Sequence, residues 1–119
     1  MYLIFHLLIL ITSLTVLILL RIYRNKEGNL AARWGGEEFI VLFSDTSIEK
    51  CQFIVNEIRK KIEKNKVMFE NYLINVTASF GLTEVKVNTD KDFLIGFKKA
   101  DEALYLAKQN ERNRIEWLS

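Results

Sequence analysis

Residues 1–20, MYLIFHLLILITSLTVLILL, contain no Asp, Glu, Lys or Arg; every one of the 17 basic and 15 acidic residues lies in 21–119. That partition constrains the fold more than any other feature, because so long an apolar run must leave water somewhere. About 20 apolar residues suffice to cross a bilayer as a helix, and a helix satisfies its own backbone hydrogen bonds in hydrocarbon. Arg21, Arg24 and Lys26 follow the run and would hold that end in the cytoplasm. Positive charge does not precede the run and small residues do not mark a cleavage site, which speaks against a removed signal peptide. The expectation is an apolar helix over 1–23 serving as a membrane anchor. The stretch from Leu14 to Trp34 also reads as a buried or amphipathic helix leading into a strand, a helix over 14–23 that packs instead of spanning.

The remaining 24–119 has room for one domain at most. A net charge of +2 is far from the dense basic face that nucleic acid requires, so no nucleic-acid partner is expected. The single cysteine, Cys51, excludes an internal disulfide and a thiolate metal cluster; it falls on an apolar helix face and reads as a packed thiol.

Two β-prone runs, Leu30–Trp34 and Glu38–Phe43, flank Gly35-Gly36, the pattern of a hairpin with a tight turn. Thr46 with Glu49 fits a capping box, and Cys51, Ile54, Val55, Ile58 and Ile62 recur at helical spacing. Tyr72–Val76 and Thr77–Val87 read as one long strand or two short ones. A second helix is expected over about Phe93–Lys108, capped by Asp90 or Asp92, with Leu94, Phe97, Leu104 and Ala107 on its apolar face. Arg114–Leu118 would be a last short strand. The order predicts an α+β sandwich, helices against an antiparallel-rich sheet.

Three stretches carry a resemblance. Arg33-Trp34-Gly35-Gly36-Glu37-Glu38-Phe39 is similar to the signature of the GGDEF domain and its Arg-aromatic lead-in; Val76-Thr77-Ala78-Ser79-Phe80-Gly81 resembles that family's V-T-x-S-x-G strand; and Ala100-Asp101-Glu102-Ala103-Leu104-Tyr105-Leu106-Ala107-Lys108, with Arg112-Asn113-Arg114, resembles its ADEALYxAK…GRNR ending. The order and spacing are those of diguanylate cyclases. The resemblance implies a partial GGDEF, nucleotidyl-cyclase-like sandwich over 24–119, without the usual first strand and helix.

It also implies a reaction. Two GTP molecules are joined, each 3′-hydroxyl attacking the other's α-phosphorus with loss of pyrophosphate, by two domains paired face to face as a homodimer or with other GGDEF domains. Gly35 and Gly36 would let the nucleotide approach the backbone. Glu37 would hold magnesium on the GTP phosphates, and Glu38 would support that metal and the attacking hydroxyl; a hard cation prefers such oxygens. Lys108 and Arg112, four apart, would share a face if the helix continued and contact the triphosphate, Arg as a planar fork and Lys as a point charge. The resemblance places the chain in the bacterial inner membrane with its domain in the cytoplasm or, with the packed-helix alternative, in the cytoplasm.

The chain departs from the family at its start. The family's central strand ends in an aspartate that completes the metal site, yet no Asp precedes Asp45; that strand is either missing or replaced by Ile4–Ile11, which is apolar and carries no acid. An Arg-x-x-Asp that binds product in the family is replaced by Lys26 and Asn29, and the glycine of GRNR is Glu111. The expectation is that this chain alone does not make cyclic di-GMP. Its alternatives are a non-catalytic module that binds GTP or pairs with an intact cyclase, and a non-functional fragment.

Overall fold

A computed structural model of the chain describes residues 2–7, 30–33, 38–43, 46–85 and 90–119. Strands β1 (Tyr2–Leu7), β2 (Leu30–Arg33), β3 (Glu38–Phe43), β6 (Ser79–Glu84) and β7 (Ile115–Leu118) form one sheet in the order β2-β3-β1-β6-β7. Among the described residues only the β6–β7 pair is parallel. Helix α1 (Ile48–Lys64) and helix α2 (Asp90–Gln109) cover it, and a separate hairpin joins β4 (Lys66–Phe69) to β5 (Tyr72–Asn75).

The apolar helix expected over 1–23 is corrected at its start. Tyr2–Leu7 is the middle strand of the sheet, antiparallel to β3 on one side and to β6 on the other. A strand in the middle of a two-layered cover reads as an unbroken apolar run, which periodicity cannot tell from a buried helix. With these six residues in the sheet, the thirteen from Leu8 to Leu20 fall short of the roughly 20 a membrane-spanning helix needs. Among the described residues no helix is long and apolar enough to cross a membrane. The expected packed helix over 14–23 lies outside the described residues.

Alternation along the strands builds two cores. Phe39, Val41 and Phe43 of β3 join Phe80 and Leu82 of β6 against Cys51, Ile54, Val55, Ile58 and Ile62 of α1, the face the helical spacing marked out. Ile40 and Leu42 face the other way, toward Ala100 and Leu104 of α2. Each fully buried Phe or Leu contributes about 2–3 kcal/mol, so both helices are anchored by the strands they cover. Burial also pushes the Cys51 thiol up to about 12, which keeps it protonated and inert as a nucleophile.

Three local expectations change. The cap of α1 is Ser47, not Thr46; its side chain accepts from the Lys50 amide at 3.2 Å. The residue three beyond the cap is then Lys50, so the reciprocal half of a capping box is absent. Of the two readings of Tyr72–Val87 the two short strands, β5 and β6, form, but β5 also pairs with β4 in an unforeseen hairpin turning at Glu70 and Asn71 with φ of 46° and 70°; a tight hairpin turn wants positive φ at both positions, but without glycine it leaves little trace in the sequence. On α2, Leu104 and Ala107 are buried and Phe97 packs against the core as expected, but Leu94 is exposed, and the face toward the sheet also takes in Gly96, Ala100 and Ala103. Small residues replace large ones there because helix and sheet nearly touch at Gly81.

Candidate functional site

The register gathers one end of the molecule. β1 runs toward Leu7, while β3, β6 and β7 start beside it: Leu7 lies across from Glu38 on one side and from Ser79 on the other, and Phe80 lies across from Ile115. Helix α2 runs against β6, since Gly96 meets Val85 and Leu104 meets Gly81. Its C-terminus therefore reaches the end where Glu38, Leu7 and Ser79 are.

Glu38 is half-buried at the start of β3. Its neighbours Phe39 and Ile40 face α1 and α2 respectively, so alternation puts Glu38 on the α2 face. Lys108, also half-buried, continues the row Gly96, Ala100, Leu104 by one more turn of four. Glu38 and Lys108 thus share a face and an end. From β3 to β7 is three strand spacings, roughly 14 Å, a gap that an extended arginine and a polyphosphate could span together.

Arg112 arrives by another route than expected. The helix ends at Gln109, and Glu111, Arg112 and Asn113 have φ of 75°, 59° and 48°, so continuing the helix does not place Arg112 beside Lys108. The Arg112 amide bonds the Ala107 carbonyl at 2.9 Å, the long closing bond of a Schellman turn. That turn reverses the chain so that the Arg114 carbonyl accepts from the Phe80 amide at 2.9 Å, opening the β6–β7 ladder. Arg112 is exposed; among the described residues its guanidinium makes no ion pair or hydrogen bond. Arg114, by contrast, is engaged with the Asn110 carbonyl and the Glu116 carboxylate at 2.9 Å each.

Glu111 occupies the turn position that favours glycine. Glu111→Gly should relieve the left-handed strain and stabilise the fold by about 1 kcal/mol, read as a rise of a few degrees in Tm. An unchanged or lower Tm would contradict the turn geometry.

Gly35, Gly36 and Glu37 lie outside the described residues. Glu38, Lys108 and Arg112 are brought to one end. Sequence reasoning missed the residues that tie this end down: Arg59 and Glu63 of α1, bound to Asn113. Their i,i+4 spacing is legible, but their partner some fifty positions away is not.

The family description "Diguanylate cyclase, GGDEF domain" matches residues 14–114. The chain belongs to the GGDEF family. Over 91 residues it is 39% identical to Diguanylate cyclase A of Treponema denticola, covering 76% of this chain and 24% of that protein. Diguanylate cyclase DgcP of Pseudomonas aeruginosa is 34% identical over 93 residues, covering 78% and 14%. The chain therefore spans a quarter or less of these relatives. Among solved structures, the diguanylate cyclase SiaD of Pseudomonas aeruginosa, crystallised with its activator SiaC, superimposes with a TM-score of 0.80 at 23% identity over 98% of this chain and 49% of that one. The active GGEEF domain of a diguanylate cyclase from Vibrio cholerae gives 0.78 at 21% identity over 99% and 82%. Both show the GGDEF fold. The family match begins at Leu14, inside the apolar run that was expected to be an anchor.

GGDEF cyclases use a divalent metal, and the described residues fit it narrowly. They contain no cluster of three His, Cys, Asp or Glu side chains able to hold one. Glu38 is the described acid at the start of β3, and its register neighbours are Leu7, which has no side-chain oxygen, and Ser79. A hard cation could be shared between a carboxylate and a bound polyphosphate here, but the described side chains alone would not cage it.

Proposed function

We propose that this GGDEF module binds GTP with magnesium and works by pairing with another GGDEF domain, without joining two GTP molecules on its own. The observation that carries this is the register of β1. The position between Glu38 and Ser79, where the family resemblance calls for an aspartate, is Leu7. Glu38 and Glu37 would meet the metal-bearing phosphates, and Lys108 and Arg112 would meet the triphosphate from α2 and the turn after it. Two cationic side chains can hold a polyphosphate by charge. Charge that builds on the transferring phosphoryl group needs fixed compensation in the transition state as well, and the acid missing beside Glu38 removes part of it. Binding is retained while turnover is lost.

The relatives' names support the nucleotide class. The test is a calorimetric titration of the purified chain with GTP and magnesium, followed by chromatography of the mixture. Saturable binding, abolished in Glu37→Ala/Glu38→Ala, with no cyclic di-GMP formed, is the expected result. Appearance of product overturns the inactive half of the proposal, and absence of binding overturns the other half.

A further inference from the structure

The turn that carries Arg112 is unusual in having three consecutive non-glycine residues at positive φ, Glu111, Arg112 and Asn113, a region that L-residues other than Asn and Asp rarely enter. Such a segment persists only where its surroundings over-determine it. The surroundings here are on α1. Arg59, part-buried, donates through Nη1 to Asn113 Oδ1 at 3.1 Å and through Nε to Asn56 Oδ1 at 3.0 Å. Glu63 Oε2 accepts from Asn113 Nδ2 and lies 3.6 Å from Arg59 Nη1. The Asn113 amide is thus read at both ends: its oxygen by a cation, its nitrogen by an anion. An aspartate would be repelled by Glu63, and an apolar residue would leave both charged partners without this contact.

We infer that Asn113, clamped between Arg59 and Glu63, is a positioning residue that fixes the exposed Arg112 for a nucleoside triphosphate. The inference rests on the nucleotide reading above. The clamp itself touches no ligand. It ties the far face of the molecule, where α1 packs, to the turn at the end of α2, so that the Arg112 guanidinium meets the phosphates with its backbone already set. Without it the turn samples the ordinary right-handed and extended conformations, and binding must re-order it each time.

Two readouts test this. The first is hydrogen exchange of the Arg112 amide, which the turn protects through its bond to Ala107; the second is calorimetric affinity for GTP with magnesium. Asn113→Ala and Asn113→Asp should each speed that exchange and weaken binding about tenfold, the worth of roughly one charged hydrogen bond. In Asn113→Asp/Glu63→Gln the donor and acceptor are exchanged between the two side chains, and both readouts should return to near wild type, a rescue that generic loss of stability would not show. Adding Asn113→Ala to Arg112→Ala should cost no further affinity, because the clamp acts through Arg112. An unchanged Arg112 amide in Asn113→Ala overturns the inference whatever the ligand does. So does wild-type binding that Asn113→Ala leaves intact, or a full additional loss in the double variant. If the wild type binds no nucleotide, the functional reading fails and takes the role of the clamp with it, while the exchange rates still show separately whether the turn is held.

Discussion

Gly81→Ala should destabilise the protein by about 4 kcal/mol, a large share of the roughly 5–15 kcal/mol that holds a domain together. A Cβ at Gly81 would fall inside contact distance of the Ala100 carbonyl oxygen and the Leu104 amide nitrogen, and 2.9 Å from the Leu104 Cα. All three are backbone atoms of α2, so no side chain can rotate away. The helix must lift, and it carries Ala100, Ala103, Leu104 and Ala107, all buried against the sheet. Lifting a close-packed helix opens a gap too thin for water, and dispersion contacts on both sides are lost together. Gly96→Ala is the control. There the added methyl meets side-chain atoms of Val85, which can move, and the cost should be about 1–2 kcal/mol. Urea denaturation followed by circular dichroism measures both. A Gly81→Ala protein within 1 kcal/mol of wild type would mean that α2 does not sit on β6 as described.

That close approach also explains what the sequence could and could not disclose. On α1 the apolar period fell on Cys51, Ile54, Val55, Ile58 and Ile62, all of them buried, because that helix packs through large side chains at ordinary distance. On α2 the same reasoning found Leu104 and Ala107, which are buried, but also favoured Leu94, which is exposed, and passed over Ala100 and Ala103, which are wholly buried. Hydrophobic size predicts burial only where the partner surface leaves room for it, and Gly81 removes that room. Strand β1 was ambiguous for a different reason. An apolar run that continues past its own strand carries no boundary, so Tyr2–Leu7 could not be separated from the thirteen uncharged, mostly apolar residues after it. The candidate site residues Glu38, Lys108 and Arg112 were singled out from motifs, in two of the three stretches that resemble the family. What placed them at one end was register and a Schellman turn, and both depend on contacts between residues far apart in the chain. The Arg59–Asn113–Glu63 clamp is of the same kind.

Leu7→Asp should make both stability and nucleotide affinity respond to magnesium. Its register position is between Glu38 and Ser79, so a carboxylate there faces the Glu38 carboxylate on the neighbouring strand. Like charges directly across a strand pair repel, and without metal the variant should be less stable than wild type by about 1–2 kcal/mol. Magnesium reverses the sign, because two carboxylates that repel each other become two oxygen ligands for one hard cation. With GTP supplying phosphate oxygens to the same ion, affinity should rise about tenfold over wild type, about 1.4 kcal/mol. Leu3→Asp supplies the comparison: it is also in β1, but across from Leu42 and Thr83 at the other end of the strand. It should lose stability without any recovery on adding the metal, since no acid is opposite. Thermal unfolding of the three proteins, with and without magnesium and GTP, separates a metal effect from a general cost of charge in the sheet. If Leu7→Asp unfolds at the same temperature whether or not magnesium is present, Glu38 is not at a metal site, and the proposal that a missing acid prevents turnover fails.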